Sequence, residues 1–176
     1  MTLALGAEAP PFDLPGVDGR NHALSDYGDA AALALVWSCN HCPYVQAWEG
    51  RMRQIQADYA DRGVRLVAIN SNDAERYPED SFEAMRDRAR TEGFNFDYLY
   101  DEDQTVARAY GPERTPEVFL FDRDRRLVYH GAIDDARDER AVRQHHLRAA
   151  LDAVLAGGTP PAAETPAVGC SVKWRP

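Results

Sequence analysis

The sequence predicts an α/β domain in which a central mixed β-sheet is flanked by helices. Apolar runs of strand length at residues 31–37, 64–70 and 118–122 predict buried strands. Between these runs, apolar residues recur at helical spacing. Strands and helices that alternate in this way, and end in a β-hairpin and a helix, are typical of a sheet with helices on both faces.

Composition limits the kinds of partner that the chain can bind. Its 176 residues suit one domain, and 29 acidic against 20 Lys and Arg residues give a net charge of −9. Nucleic acids and anionic membranes bind basic surfaces, so we expect neither as a partner. No apolar stretch approaches the roughly 20 residues of a transmembrane helix, and the N-terminus lacks a signal-peptide pattern. We therefore expect a cytoplasmic location.

The first half of the chain contains an extended segment, two strands and a helix between them. Residues 12–20 favour an extended piece with a turn, and residues 24–27 favour a helical turn. After the strand at 31–37, a helix follows that Gly63 ends, and the strand at 64–70 comes next. The apolar face of that helix consists of residues three and four apart: Val45, Trp48, Met52, Ile55 and Tyr59.

The second half continues the alternation and adds a hairpin. The predicted helices span 78–92, 104–109 and 137–156, and the predicted strands span 97–100, 118–122 and 127–130. No internal repeat or second core is evident, so we place a single domain at residues 1–158. The tail, residues 159–176, begins with a proline-rich stretch, and its last apolar residues predict that it packs back on the domain.

The most informative feature is the pair Cys39 and Cys42, which follows a predicted strand and opens a predicted helix. The thiolate is the reactive form of cysteine, and the positive end of a helix dipole lowers the pKa of a thiol. This placement favours thiol–disulfide exchange, with Cys39 as the attacking thiol and Cys42 as the resolving thiol. Three cysteines in all are too few for a disulfide-stabilised scaffold.

Asn40, His41 and Pro43 complete the motif and are expected to shape the site. An imidazole at His41 can donate to the Cys39 thiolate and stabilise the reduced form. Two cysteines at this spacing also form half of a zinc site, but the other candidate ligands are scattered along the chain. These are His22, His130, His145 and Cys170. We therefore expect no metal and no cofactor.

A second feature points to the same chemistry. Thr115 and Pro116 open a predicted strand, where proline is a poor ladder residue unless it marks a bend or a cis bond. A cis-proline loop beside the thiols would expose the Thr115 backbone to pair with an incoming peptide. A trans-proline at the start of the strand is the alternative.

Several motifs resemble the thioredoxin superfamily, and in particular its redoxin branch, which includes relatives of the alkyl hydroperoxide reductases and the cytochrome-maturation thioredoxins. The resemblance lies in Gly6-x-x-Ala9-Pro10-x-Phe12-x-Leu14, Trp37-Ser38-Cys39-Asn40-His41-Cys42-Pro43-Tyr44-Val45, Thr115-Pro116-Glu117-Val118 and Tyr129-x-Gly131-x-Ile133-Asp134-Asp135. The ending from Gly169 to Trp174 is similar to that of a bacterial subgroup of thioredoxin-family proteins. The resemblance spans nearly the whole chain.

This resemblance implies a thioredoxin-like fold with an N-terminal extension and a redoxin-type insertion at about residues 72–100. It implies Cys39 as nucleophile, Cys42 as resolving cysteine and Pro116 as the cis-proline. The implied partners are a disulfide-bearing protein or small molecule and a thiol reductant or reductase.

Two acidic residues of the family have no counterpart in this chain. The strand before the motif contains no carboxylate, where thioredoxin has a buried acid. Val45 stands where cytochrome-maturation thioredoxins have a glutamate. The proton acceptor for Cys42 is therefore unassigned, and Glu49, the nearest acid on the helix, is expected to be a solvated surface residue.

Two other functions fit parts of the pattern. In a peroxiredoxin-like peroxidase with antioxidant activity, peroxide would oxidise Cys39 to a sulfenic acid, Cys42 would resolve it and Arg114 would supply a guanidinium. The proline and threonine that peroxiredoxins have before this cysteine are missing here. In a copper-binding redoxin that acts as chaperone or sensor, Cys39 and Cys42 would bind the metal with a histidine such as His130.

Cys170 is the third cysteine, and it follows a flexible linker among apolar neighbours. A free tail cysteine is one interpretation, and a third redox cysteine or a cap over the site is the other. His145 and His146 are expected on the surface of the last helix. Asp134 and Asp135 are expected in a loop or at a helix cap rather than in catalysis.

Overall fold

The computed structural model describes all residues, 1–176, and contains nine strands. The strands are β1 (Asp13–Pro15), β2 (Asn21–Ala23), β3 (Ala32–Trp37), β4 (Val64–Asn70), β5 (Asp97–Tyr100), β6 (Arg114–Thr115), β7 (Glu117–Phe121), β8 (Leu127–Gly131) and β9 (Cys170–Ser171). The central sheet has the order β5-β4-β3-β7-β8. Strands β3, β4 and β5 are parallel, and β7 and β8 are antiparallel to their neighbours. The predicted mixed sheet is confirmed.

Four α-helices cover the sheet. They are α1 (Pro43–Tyr59), α2 (Phe82–Thr91), α3 (Thr105–Tyr110) and α4 (His146–Leu155). Short 3₁₀ turns lie at Leu24–Tyr27, Ala60–Arg62, Pro78–Asp80 and Glu139–Ala141. None of the helices has both the length and the apolar character needed to cross a bilayer.

Strand β3 separates two apolar cores, because alternate side chains of a strand point to opposite faces of the sheet. Ala32, Ala34 and Val36 face the core formed with α1, α2 and α4. Leu33, Leu35 and Trp37 face the core formed with α3 and the N-terminal segment. Every residue of β3 is buried, as a strand at the centre of a sheet requires. The cysteine motif thus begins where the most buried strand ends.

Two predicted helices begin later than expected. Helix α2 starts at Phe82, because Ser81 has an extended backbone and its hydroxyl accepts a hydrogen bond from the Ala84 amide. The final helix was predicted from residue 137, and this was wrong, since α4 starts at His146. In the segment before α4, the Asp138 carboxylate caps a 3₁₀ turn, and the Asp135 carboxylate accepts a hydrogen bond from the Arg143 amide. These local bonds compete with helical hydrogen bonds.

The tail runs along β8, the edge strand of the sheet, and then pairs with β6. The His130 amide donates to the Ala163 carbonyl, and the Thr165 amide donates to the His130 carbonyl. The Thr165 hydroxyl accepts from the Ala132 amide at 3.0 Å. Further on, β9 pairs antiparallel with β6. The backbone hydrogen bonds of the tail are therefore made to the body of the protein.

Leu120→Ala tests the core around β7. Leu120 is fully buried among the side chains of the larger core. We expect a loss of about 2–5 kcal/mol in the free energy of unfolding, because the substitution leaves a cavity. Urea denaturation measures it, with Leu5→Ala as control, since Leu5 is 43% exposed. Equal losses in the two variants would contradict the packing described.

Candidate active site

Cys39 and Cys42 lie in the short connection between β3 and α1, but their placement on the helix differs from the prediction. The helix begins at Pro43, and Cys42 is its N-cap residue, with an extended backbone. Proline is favoured at the first position of a helix, because its ring has a helical φ and no amide hydrogen is needed there. Cys42, and not Cys39, therefore lies at the positive end of the helix dipole.

Both thiols are buried and both contact Thr115, the last residue of β6. The Cys39 Sγ lies 3.7 Å from the Thr115 hydroxyl, and the Cys42 Sγ lies 3.6 Å from the Thr115 carbonyl oxygen. Cys39 is 1% exposed and Cys42 is fully buried. The peptide bond between Thr115 and Pro116 is cis, as predicted. The loop that the sequence placed beside the thiols is thus in contact with both of them.

The two thiols differ in acidity. A hydrogen bond from the Cys39 thiol lowers the pKa of Cys42 to about 4, and further hydrogen bonds from Cys170 and the Val45 amide act in the same direction against the effect of burial. The pKa of Cys39 is raised, first because its proton is held by Cys42 and then because burial and the Asp80 carboxylate disfavour a second negative charge. The lowered pKa favours a thiolate on Cys42, while the 3.6 Å contact of its sulfur with the Thr115 carbonyl oxygen favours the protonated thiol. The sequence assigns the attack to Cys39, and that assignment stays a prediction.

Asp80 is the buried acid of the site, and sequence reasoning missed it. Its carboxylate accepts hydrogen bonds from the Asn40 amide at 2.7 Å, the His41 amide at 3.3 Å and the Asn72 side chain at 2.9 Å. The prediction placed Asp80 in the first turn of a helix. The signal that could have located it is Ser81, a strong N-cap residue, which starts the helix one position later and leaves Asp80 in the preceding turn.

His41 lies between Asp80 and solvent. Its Nδ1 is 2.6 Å from a carboxylate oxygen of Asp80, and its ring stacks on Tyr77. The Cys39 Sγ, a ring nitrogen of His41 and an Asp80 oxygen all lie within 4.8 Å of one another. His41 is therefore close to Cys39, as the sequence suggested, but its partner is a carboxylate that the sequence did not identify.

Asn40 connects the motif to β5, to the turn before α2 and to α1. Its side-chain oxygen accepts from the Tyr98 hydroxyl at 2.8 Å, and its side-chain nitrogen donates to the Glu79 carbonyl at 3.0 Å. Its own carbonyl accepts from Gln46 on α1. These bonds fix the conformation of the two residues between the cysteines, and with it the relative position of the thiols.

Two side-chain groups have the donor atoms for a metal ion. One is Cys39, His41 and Asp80, and the other is the more exposed set Asp18, His22 and Asp97. In the second set, Asp97 already accepts hydrogen bonds from Tyr27 and Arg65. The first set belongs to the thiol site itself. His130, the histidine considered for copper, instead contacts Glu117 at 2.8 Å.

Glu49 is not the solvated surface residue that was expected. It is 4% exposed and forms an ion pair with Arg88 on α2. Burial raises the pKa of its carboxyl, and the hydrogen bond from Arg88 opposes that shift. This ion pair links α1 to α2, the helix that follows Asp80, so its role is structural.

Asp134 and Asp135 have structural roles. The Asp134 carboxylate is buried and accepts from the Trp48 indole at 2.8 Å and from Arg51. Asp135 accepts from the Arg143 amide. His145 is exposed and His146 is partly exposed. None of these four residues makes a hydrogen bond to a thiol.

A family model described as the AhpC/TSA family matches residues 5–130, which is most of the chain and includes both cysteines of the motif. The chain belongs to the AhpC/TSA family. Membership confirms the redoxin resemblance seen in the motifs.

This AhpC/TSA protein is similar to one curated relative and to two proteins of known structure. Over 145 residues it is 28% identical to thiol-disulfide oxidoreductase ResA of Geobacillus thermodenitrificans, which covers 81% of this chain and 76% of the relative. An uncharacterized conserved protein from Geobacillus kaustophilus is 46% identical, with a TM-score of 0.93 over 98% of this chain and 93% of the other. A putative thiol:disulfide interchange protein DsbE from Chlorobium tepidum is 29% identical, with a TM-score of 0.62 over 73% and 85%. The fold is thioredoxin-like.

Arg114 forms no hydrogen bond with the thiols of this AhpC/TSA protein, whose partner is Thr115. Its side chain is exposed and lines a cleft of about 570 Å³ together with Glu117, His130 and the tail residue Glu164.

Titration of the thiols tests the assigned charge. With increasing pH, we expect one thiolate to form as the pH passes about 4, because the pKa of Cys42 is lowered to that value. The far-ultraviolet absorbance of the thiolate follows the titration. Cys42→Ser should remove this low-pH step, and Cys170→Ala should move it upward by removing one donor. A low-pH step that persists in Cys42→Ser would assign the thiolate to Cys39 instead.

Asp80→Asn tests the electrostatic effect of the buried acid. In a Cys42→Ser background, this substitution should lower the pKa of Cys39, because a nearby negative charge disfavours the thiolate. Alkylation rates measured against pH report the value. Glu79→Gln is the matched control, since Glu79 is the exposed neighbour of Asp80. If both variants shift the Cys39 pKa equally, Asp80 has no specific effect.

Proposed function

We propose that this protein is a thiol–disulfide oxidoreductase in which Cys39 and Cys42 alternate between a dithiol and a disulfide. The observation that carries the proposal is the geometry of the pair: both thiols lie between β3 and the N-terminus of α1, and both sulfurs contact Thr115. Such a pair has both a nucleophile at neutral pH and a second thiol ready to resolve a mixed disulfide. The names of the ResA and DsbE relatives support the same class of reaction.

In the proposed reaction, the Cys42 thiolate attacks a sulfur of the substrate disulfide and forms a mixed disulfide, and the other substrate sulfur leaves as a thiolate. Cys39 then loses its proton and attacks Cys42, which releases the second substrate thiol and leaves the Cys39–Cys42 disulfide. This order of attack is the reverse of the one expected from the sequence, because the helix begins after Cys42 and not at Cys39.

We assign the removal of the Cys39 proton to Asp80 and His41. Both groups lie within 4.8 Å of the Cys39 sulfur, and the imidazole contacts the carboxylate directly. The Asp80 charge keeps Cys39 protonated while Cys42 is a thiolate. Once Cys42 has formed a mixed disulfide, its negative charge is gone, and Cys39 ionises more readily.

The proposed partners are a disulfide-bearing protein or small molecule and a thiol reductant or reductase. We propose a cytoplasmic location, where disulfide exchange of this kind serves catalysis rather than structure. An antioxidant role would follow if the substrate disulfide arises by oxidation.

In a Cys170→Ser background, where no third thiol can replace either cysteine of the motif, Cys39→Ser and Cys42→Ser should each reduce catalysis of protein disulfide reduction by dithiothreitol to the rate of the uncatalysed reaction. Insulin turbidity measures it, and Ser38→Ala is the control beside the motif. Retained turnover in Cys39→Ser with loss in Cys42→Ser would leave Cys42 as a single-thiol catalyst and contradict the dithiol couple.

Stopped-flow oxidation with hydrogen peroxide separates this function from a peroxidase. We expect the wild-type thiols to react no faster than a free thiol with the same pKa. A much faster reaction, abolished by one cysteine substitution, would favour the peroxidase instead.

A further inference from the structure

The tail places a third cysteine over the active site. Strand β9 pairs antiparallel with β6, and in this register Cys170 lies opposite Thr115. Thr115 is the residue whose hydroxyl and carbonyl contact the Cys39 and Cys42 sulfurs. An antiparallel strand at this edge is the arrangement that a bound peptide would adopt. The tail therefore occupies the position at which the sequence predicted an incoming peptide.

Cys170 contacts one thiol of the pair in particular. Its side chain packs against the cluster of Cys39, Cys42 and Val45, and the Cys170 and Cys42 thiols are close enough for each to shift the pKa of the other. No hydrogen bond joins Cys170 to Cys39, whose neighbours are Cys42, Thr115 and Asp80. In space, Cys42 therefore lies between Cys39 and Cys170.

The three thiols also differ in their exposure to solvent. Cys39 and Cys42 are shielded from solvent, whereas Cys170 is partly exposed. A thiol or disulfide that approaches from solution therefore meets Cys170 before it meets either cysteine of the motif.

The residues around Cys170 hold the tail at this site. A Cβ atom at Gly169 would lie 2.0 Å from the Thr115 carbonyl oxygen, so only glycine allows this close approach. Val172 is 5% exposed, and its amide donates to the Glu113 carbonyl at 3.1 Å. The Lys173 amide donates to the Asn72 side chain, and the Lys173 carbonyl accepts from Asp73 and Gln104. These contacts flank Cys170 on both sides.

We propose that Cys170 is a third redox cysteine, which passes the disulfide between buried Cys42 and thiols in solution. The proposal rests on the proposed function and adds a route by which a shielded pair exchanges electrons with a thiol reductant.

The first step is an exchange within the protein. The Cys170 thiolate attacks the Cys42 sulfur of the Cys39–Cys42 disulfide, so that the bond between Cys39 and Cys42 breaks and one between Cys42 and Cys170 forms. Cys39 leaves as a thiolate and takes up the proton that Cys170 lost. No electrons enter or leave the protein in this step.

The second step brings in the electrons. A thiolate of an external dithiol reductant attacks the Cys170 sulfur and releases Cys42 as a thiolate. The second thiol of the reductant loses its proton and displaces Cys170, which leaves as a thiolate and takes up that proton. The reductant leaves as a disulfide, and the protein has gained two electrons.

The charge state of Cys42 matches these roles. In the reduced protein, burial and the hydrogen bond to Cys42 raise the pKa of Cys170 to about 11, so Cys170 stays protonated and donates to Cys42. When Cys42 is part of a disulfide, its negative charge is absent, and Cys170 ionises more readily. Cys170 therefore becomes the better nucleophile in the oxidised state, in which its attack is needed.

Disulfide mapping after mild oxidation tests the first step. The full chain is oxidised with diamide, its free thiols are alkylated in acid, and its peptides are identified by mass spectrometry. We expect Cys39→Ser to form an intramolecular Cys42–Cys170 disulfide, and Cys42→Ser to leave Cys39 and Cys170 as free thiols. Absence of the Cys42–Cys170 disulfide in Cys39→Ser, or a Cys39–Cys170 disulfide of equal yield in Cys42→Ser, would overturn the proposal.

Reduction kinetics test the second step. Oxidised Cys170→Ser should be reduced by dithiothreitol about tenfold more slowly than the oxidised wild-type protein, because the exposed sulfur is missing. Ser171→Ala, at the neighbouring position of β9, is the control and should match the wild type. Equal rates in Cys170→Ser and the wild type would overturn the route through Cys170. Urea denaturation of each variant shows that the fold is retained.

The wild-type assay separates this inference from the proposed function. If the wild-type protein does not catalyse disulfide exchange, the proposed function fails. If it does, and Cys170→Ser exchanges disulfides and is reduced at the same rates, only the role of Cys170 fails.

Discussion

The contacts of Thr115 join the parts of this active site. Its hydroxyl and carbonyl contact the two sulfurs of the motif, and its backbone pairs with the tail strand that contains Cys170. Thr115 is the end of β6 and precedes β7, which pairs with β3, the strand that leads into the motif. The central sheet therefore sets the positions of all three thiols relative to one another. An error in the pairing of β3 with β7 would separate them.

In the proposed charge state, the three thiols of the site share a single negative charge. Cys42 holds it because the helix N-terminus, the Val45 amide and two neighbouring thiols all stabilise a thiolate there. Asp80 places a second negative charge beside Cys39 and so keeps the proton on that sulfur. The two effects act in opposite directions on two cysteines only three positions apart. This difference is what assigns them different roles in exchange.

The predictions that depend on local pattern were confirmed. The apolar runs that predicted β3 and β4 are strands at the centre of the sheet. The apolar face of α1 packs in the larger core, except for Val45, which packs against the two cysteines. Buried strands and amphipathic helices leave a direct periodic signal in the chain. The final helix was predicted too long, because Asp135 and Asp138 form hydrogen bonds to nearby amides that no periodicity reveals.

The sequence by itself determined the class of chemistry, because two cysteines after a buried strand and before a helix, with Thr115 and Pro116 further on, form a recognisable pattern. It also determined which strands lie in the core. Only the tertiary structure decided which acid lies beside the thiols and how the tail covers the pair. Asp80 and Cys170 are distant from the motif in the chain and come to it through the turn before α2 and through the pairing of β9 with β6. Ser81 indicates where α2 starts, and the apolar end of the tail indicates that it packs back on the domain, but the contacts with the thiols depend on the packing of separate elements.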